Sequence, residues 1–246
     1  MSGTERSSQG HLMIFAKAPV PGTVKTRLAQ GEHGIGFEWA ARLHAACVED
    51  VVERLGGAAH AQGRGVSIWR AGDLEHPLWA RLQHAFPFLR LETQGPGDLG
   101  DRLTAAFDGL LNAGQGPVVV VGTDSPSMPA DRITQAFEIL EGHSCVLGPA
   151  CDGGYYLLGL DAPCPKLFEQ VAWGTDEVCG QTLERGRAAG LEPRLLPFWY
   201  DVDRPADLRW LRAHLPILNA EGHSPARVVE TIEAMVDAGV ISKGGV

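Results

Sequence analysis

Apolar and polar positions along the chain fall into blocks that switch between two periods. Apolar runs of strand length occupy 12–16 and 117–122, with further apolar stretches at 66–69, 88–91, 145–147, 155–160 and 195–199. Runs without alternation predict strands buried on both faces, as in a parallel sheet. Between them the apolar residues recur every three or four positions. Ala40, Leu43, Cys47, Val51 and Leu55 make one face of a helix over 37–55, and Leu103, Ala106, Phe107 and Leu110 one face over 99–111. Ile133, Ala136, Phe137 and Leu140 mark a third helix, entered through Pro129. Further helices are predicted over 74–85, 176–189 (with Asp176 and Glu177 in the first turn, where the helix dipole favours acids), 205–214 and 225–238.

Strands alternating with helices predict an α/β protein: three layers, α/β/α, around a mostly parallel sheet. The expected organisation is a disordered polar tail over 1–11, one domain over 12–215, and an appended C-terminal helix over 216–246. The 246 residues suit that size, and the 31 glycines suit many turns. No apolar run approaches the roughly 20 residues that span a bilayer. A net charge of −9 argues against a nucleic-acid or membrane surface as partner. The cysteines, Cys47, Cys145, Cys151, Cys164 and Cys179, are odd in number and contain no C-x-x-C. They predict reduced thiols in a cytoplasmic protein rather than zinc or disulfides. The oligomeric state is not fixed by any of this.

Chemistry concentrates where predicted strands end, the usual place for ligands in an α/β sheet. After the first strand come Ala16, Lys17, Pro19, Pro21 and Gly22, then Lys25-Thr26-Arg27. Two prolines stiffen this loop, Gly22 allows close backbone approach, and Lys17, Lys25 and Arg27 can converge on phosphate against the acidic trend of the chain. It is no Walker A loop, because Val24 rather than glycine precedes Lys25, and no dinucleotide fingerprint, because only Gly22 is present. A plain solvated loop is the bland alternative. Asp124, in Gly-Thr-Asp-Ser-Pro, follows the apolar run 117–121, and Asp201-Val-Asp203 follows the last one. Carboxylates there suit a Mg²⁺ ion bridging to phosphate oxygens; equally, Asp124 caps a turn and Asp203 a helix.

Two glycine-rich stretches complete the set. In 94–102, Gln94, Gly97 and Gly100 let a flat base lie on backbone with Gln94 at its edge, or simply form a loop and cap. Asp152, Gly153, Gly154 and Tyr155 allow a tight turn beside a ligand or an ordinary β-turn, and Trp173 closes a pocket wall or fills core. Neither G-x-S-x-G nor H-E-x-x-H occurs, which disfavours a serine or zinc hydrolase.

Taken in order, AKAPVPGTVKTRLA, GTDSP, GPACDGGYYLLGL, VAWGTDEV and DVDRPADL resemble a bacterial family of glycosyltransferase-like proteins over about 12–211. That family has the GT-A (nucleotide-diphospho-sugar transferase) fold and is similar to 2-phospho-lactate guanylyltransferase. The resemblance implies that Ala16, Lys17, Gly22, Lys25 and Arg27 hold the nucleotide's phosphates and that 94–100 lies near its base. It implies that Asp124, Asp203 and Asp201 bind Mg²⁺ or Mn²⁺, with Lys25, Arg27 and Asp124 as the catalytic group. Asp152, Gly153, Gly154, Tyr155 and Trp173 then line the acceptor side. Arg204 stands where threonine is usual, and Gly174 where serine is. The expected activity is Mg²⁺-dependent transfer of a nucleotidyl group from an NTP to a small anionic phosphate or phosphonate. The alternatives are sugar transfer from a nucleotide sugar, or a non-catalytic nucleotide-binding module; the partners in each case are a nucleotide and a small molecule.

Overall fold

A computed structural model describes residues 10–242. The expected tail therefore lies mostly outside the described residues, but its last two positions, Gly10 and His11, do not. His11 is buried and opens the first strand, β1 (His11–Lys17). The chain then runs through α1 (Thr26–Ala29), α2 (Phe37–Val51), a π-helical turn at Val52–Gly56, α3 (Gly57–Ala61), β2 (Gly65–Ala71), α4 (Pro77–Ala85) and β3 (Arg90–Thr93). It continues with α5 (Leu99–Asn112), β4 (Val118–Val121), α6 (Asp131–Leu140), β5 (Cys145–Pro149) and β6 (Tyr155–Leu160). The last elements are α7 (Val178–Ala188), β7 (Arg194–Leu195), α8 (Pro205–Ala220) and α9 (Ala226–Asp237).

The strands form one sheet in the order β3-β2-β1-β4-β6-β5-β7, with β6 antiparallel to both neighbours and the other pairs parallel. The expected three-layer α/β architecture is what the chain adopts. Strand alternation splits the core cleanly. Leu12, Ile14, Val119 and Val121 face α4, α6 and the π-turn, while Met13, Val118 and Val120 face α5 and α7. β1 and β4 are adjacent, with Ile14 opposite Val121, so the loops after them open at the same edge of the sheet. The β5–β6 turn lies at that edge too, because β6 runs back from it.

Several expectations change, among them the strand expected at 88–91, which lies at Arg90–Thr93, and the helix expected from 74, which begins at Pro77. The strand expected over 195–199 shrinks to β7 plus one bridge between Trp199 and Ala150, since Pro197 has no N–H to pair. The helix expected from 176 begins at Val178, leaving Asp176 and Glu177 ahead of its first turn. The helix expected to end at 214 runs through Pro216 to Ala220, so no break falls at 215. The C-terminal part is also integral: Leu211, Leu218, Val228, Ile232 and Met235 share a buried cluster with Leu28, Leu43 and Cys47. Asp50 on α2 fastens it, accepting from the N–H groups of Arg227 (3.1 Å) and Val228 (2.9 Å) at the start of α9.

Candidate active site

The loop after β1 is built from its own hydrogen bonds. Thr23 N–H donates to Val20 O (3.0 Å) and Lys17 Nζ to Thr23 O (2.9 Å). Lys17 thus braces the loop from outside. Gly22 adopts φ +81° with open space around it, a conformation that favours glycine. Lys25 lies in the left-handed region (φ 43°), uncommon for a residue with a Cβ. From there its side chain turns inward, donating to Asp124 Oδ1 (2.7 Å) and Val202 O (2.6 Å). Burial opposes the ammonium, but its neighbours, Asp124 foremost and Asp203 among them, together outweigh it and raise the pKa above that of free lysine. Desolvation likewise opposes ionisation of Asp124, and Lys25 overrides it, holding this carboxyl below its ordinary range.

Residues 199–203 cross the open edge of the sheet as a strap. Cys151 N–H donates to Trp199 O (3.0 Å), and Val202 N–H to Asp124 O (2.7 Å). Val202 is buried, and alternation puts Asp201 and Asp203 on the cleft side. Asp203 pairs with Arg27 (Nη1–Oδ2 3.0 Å), and Asp207 fixes its backbone by accepting from the N–H groups of Asp203 (3.0 Å) and Arg204 (2.7 Å). Burial and the neighbouring Asp152 push Asp201 up to about 6; burial and Asp124 raise Asp203.

Two adjoining hollows lie here. A cleft of about 820 Å³ is lined by the acids Asp152, Asp176, Asp201, Asp203 and Asp207, by Arg27 and Arg204, and by the aromatic walls Trp173, Tyr200 and Trp210. A smaller one of about 140 Å³ has Gly122, Asp124 and Ser125 on one side and shares Asp152, Gly154, Tyr155 and Asp201 with the first. Asp152 shapes their common rim, accepting from Gly154 N–H (2.9 Å). Gly153, at φ +90°, packs against the backbone of Asp176, where a Cβ would collide.

The fold thus gathers Arg27, Asp124, Asp152, Gly154, Tyr155, Trp173, Asp201 and Asp203 around one opening. Others stand differently from their expected places. Gln94 donates its amide hydrogens to Trp69 O (2.8 Å) and Ala16 O (3.4 Å), so its edge is committed to tying strand ends together. Gly97 and Gly100 are required by packing: a Cβ would strike the Asp101 side chain at the first and the Trp173 indole at the second. The expected triad of Asp124, Asp201 and Asp203 as metal ligands is not assembled. Among the described residues no three His, Cys, Asp or Glu side chains group closely enough to hold a metal ion. The reason is visible in the pairing, with Lys25 on Asp124 and Arg27 on Asp203. One or two carboxylates suffice for Mg²⁺, however, and the mutual crowding of these acids is what a cation relieves.

Two residues near the site carried no sequence signal. His44, on the buried face of α2, bonds Lys17 O through Nε2 (3.0 Å), and burial with the charge of Lys25 lowers its pKa to about 4. Arg54, in the π-turn, reaches the carbonyls of Pro126 and Met128 (3.2 Å to the latter) just after Asp124.

The family described as "Uncharacterized protein conserved in bacteria (DUF2064)" matches residues 54–175. A solved structure from Desulfovibrio desulfuricans, assigned as a nucleotide-diphospho-sugar transferase, is 29% identical with a TM-score of 0.78, covering 94% of this chain and 98% of its own. A cytidylyltransferase from Leptospira borgpetersenii is 11% identical (TM-score 0.54, covering 97% and 98%). A 4-diphosphocytidyl-2C-methyl-D-erythritol synthase from Anaerococcus prevotii is also 11% identical (TM-score 0.53, covering 85% and 98%). No curated protein matches in sequence. The chain has the fold of the nucleotide-diphospho-sugar transferases.

Proposed function

We propose that this protein is a transferase that uses a nucleotide and Mg²⁺ or Mn²⁺, and that it joins an NTP to a small anionic acceptor, a phosphate or phosphonate, with release of pyrophosphate. The observation that carries the proposal is the pairing of Lys25 with Asp124 where β1 and β4 end, beside the Arg27–Asp203 pair on the wall of the cleft. A volume of about 820 Å³ is within the range of ligand pockets and has room for two small substrates. In this reaction an acceptor oxygen attacks the α-phosphorus, the α–β phosphoanhydride bond breaks, and the bridging oxygen leaves with the electron pair as pyrophosphate. Arg27, whose side chain is 54% exposed on the wall of the cleft, would meet that developing charge.

Lys25 is too deeply buried to be the first cation a phosphate meets. Its role is to hold Asp124 ionised and oriented. Asp124 with Asp203 or Asp201 would hold the divalent cation, whose chemistry is to neutralise phosphate charge and orient its oxygens. The acids lining the cleft would repel an anionic acceptor, so that cation and Arg204 are needed as counter-charge.

Sugar transfer from a nucleotide sugar is the second reading, favoured by the assignment of the Desulfovibrio relative. The same residues serve it, but the leaving group is then a nucleoside diphosphate. The test is a panel of NTPs and nucleotide sugars with Mg²⁺ or Mn²⁺, scored by the rise in melting temperature. Incubation with anionic acceptors and identification of products by mass follow. Pyrophosphate with a nucleotidylated acceptor supports the proposal, and a glycosylated product with free nucleoside diphosphate supports the second reading. Binding without turnover would point to a non-catalytic nucleotide-binding module.

A further inference from the structure

The loop between β4 and α6 carries Asp124 and little regular structure, yet apart from Gly122 and Asp124 it is mostly buried. Thr123, Ser125, Ser127 and Met128 are all buried, and Pro126 and Pro129 contribute no N–H. Buried loop carbonyls need donors from elsewhere. Arg54 supplies them, reaching Pro126 O with one arm of its guanidinium and Met128 O with the other, at 3.2 Å. The planar fork suits two acceptors in fixed relation, which a lysine or a water would not hold as firmly. The residue sits in the π-helical turn at Val52–Gly56, between segments of α-helix. Such turns interrupt a helix at a cost and cluster near functional sites. Burial works against the guanidinium here.

The same loop has two further connections. Asp124 O accepts from Val202 N–H (2.7 Å), and Ser127 Oγ accepts from Trp199 Nε1 (3.2 Å). Both partners lie on the strap that carries Asp201 and Asp203. Arg54 therefore grips one segment that in turn grips the other.

We propose that Arg54 is a positioning residue for the candidate site: through the carbonyls of Pro126 and Met128 it sets the loop of Asp124, and through Ser127 and Asp124 it sets the strap of Asp201 and Asp203. That these acids serve a nucleotide rests on the function proposed above; that Arg54 places them does not. The test compares wild type with Arg54→Met and Arg54→Lys by amide hydrogen exchange, with and without guanidinium ion, and then by nucleotide–Mg²⁺ thermal shift. Loss of charge-assisted bonds of this kind predicts exchange about tenfold to a hundredfold faster in 122–130 and 199–204 of Arg54→Met. β2 and β3 stay protected. Arg54→Lys falls between, and millimolar guanidinium restores protection to Arg54→Met, which a merely loosened fold would not show. Unchanged exchange in either segment, or an increase shared by β2 and β3, overturns the proposal. If the segments open as expected while no nucleotide stabilises wild type, the donor reading fails and the positioning role stands.

Discussion

Nζ of Lys25 lies 2.7 Å from Oδ1 of Asp124, but the two side chains are unequally hidden, with 2% of the lysine exposed and 54% of the aspartate. Breaking the pair from either end is therefore not equivalent. Asp124→Asn keeps an amide oxygen as acceptor beside Val202 O but leaves the buried ammonium without a counter-charge, and should cost about 3 kcal/mol or more. Lys25→Met leaves a carboxylate that can turn to water and should cost about 1 kcal/mol. Urea unfolding of both variants checks the order. Equal costs would mean that Asp124 is as confined as its partner.

Arg27 and Asp203 form the contrasting case, since the arginine is largely exposed. Arg27→Ala should change stability by less than about 1 kcal/mol while lowering turnover on the order of a hundredfold, if the guanidinium meets charge that develops on the leaving group. Pyrophosphate release at saturating donor is the measurement. Unchanged kcat would remove Arg27 from the reaction.

Why some of this site could be read from sequence and some could not has a physical explanation. Lys25 and Asp124 come after apolar runs that become the buried strands β1 and β4, and Asp203 after a shorter apolar segment that continues β7, so the open edge of the sheet was a predictable place for them. Their pairing was not predictable, because nothing local says which of several acids a lysine will choose. His44 and Arg54 lie on helices whose apolar spacing already explained them, so a polar residue there reads as ordinary surface. Gln94 looked available because sequence shows an amide but not the carbonyls of Trp69 and Ala16 that use it. The direction of β6 was hidden as well, since a short apolar run carries no sign of which way it pairs.

His11 provides a pH test away from the site. Burial, reinforced by Arg90, lowers its pKa to about 4, and the imidazole bonds Ser67 Oγ at 2.7 Å. Between the unfolded value of about 6.5 and that folded value the unfolded chain binds more protons. Stability should therefore fall as pH drops through this window, by up to about 1.4 kcal/mol per pH unit for this group. His44 is shifted the same way and adds to the slope. Urea midpoints at pH 7.5 and 5 should differ less in His11→Asn than in wild type. An unaltered pH dependence would show that His11 is accessible to protons in the fold.

The acid-lined cleft makes a further demand. An anionic acceptor should raise the melting temperature only when the nucleotide and a divalent cation are already present. Asp176→Asn, which removes one charge from the lining, should strengthen acceptor binding a few-fold without altering nucleotide affinity. Acceptor binding that is indifferent to the cation would exclude an anion from this cleft and favour a neutral acceptor.

The lysine that opens the site donates to the carbonyl of Val202, 177 residues further along, and Asp50 caps a helix 178 residues away. During synthesis Lys25 can meet Asp124 once β4 has emerged, but its second acceptor and the partner of Arg27 follow only with residues 202 and 203. Competence arrives abruptly, when the last fifth of the polypeptide emerges and lays its strap across the sheet. A chain cut short before residue 199 would lack not a peripheral extension but the strap with Asp201 and Asp203, and would leave the apolar face around Leu28, Leu43 and Cys47 open to aggregation.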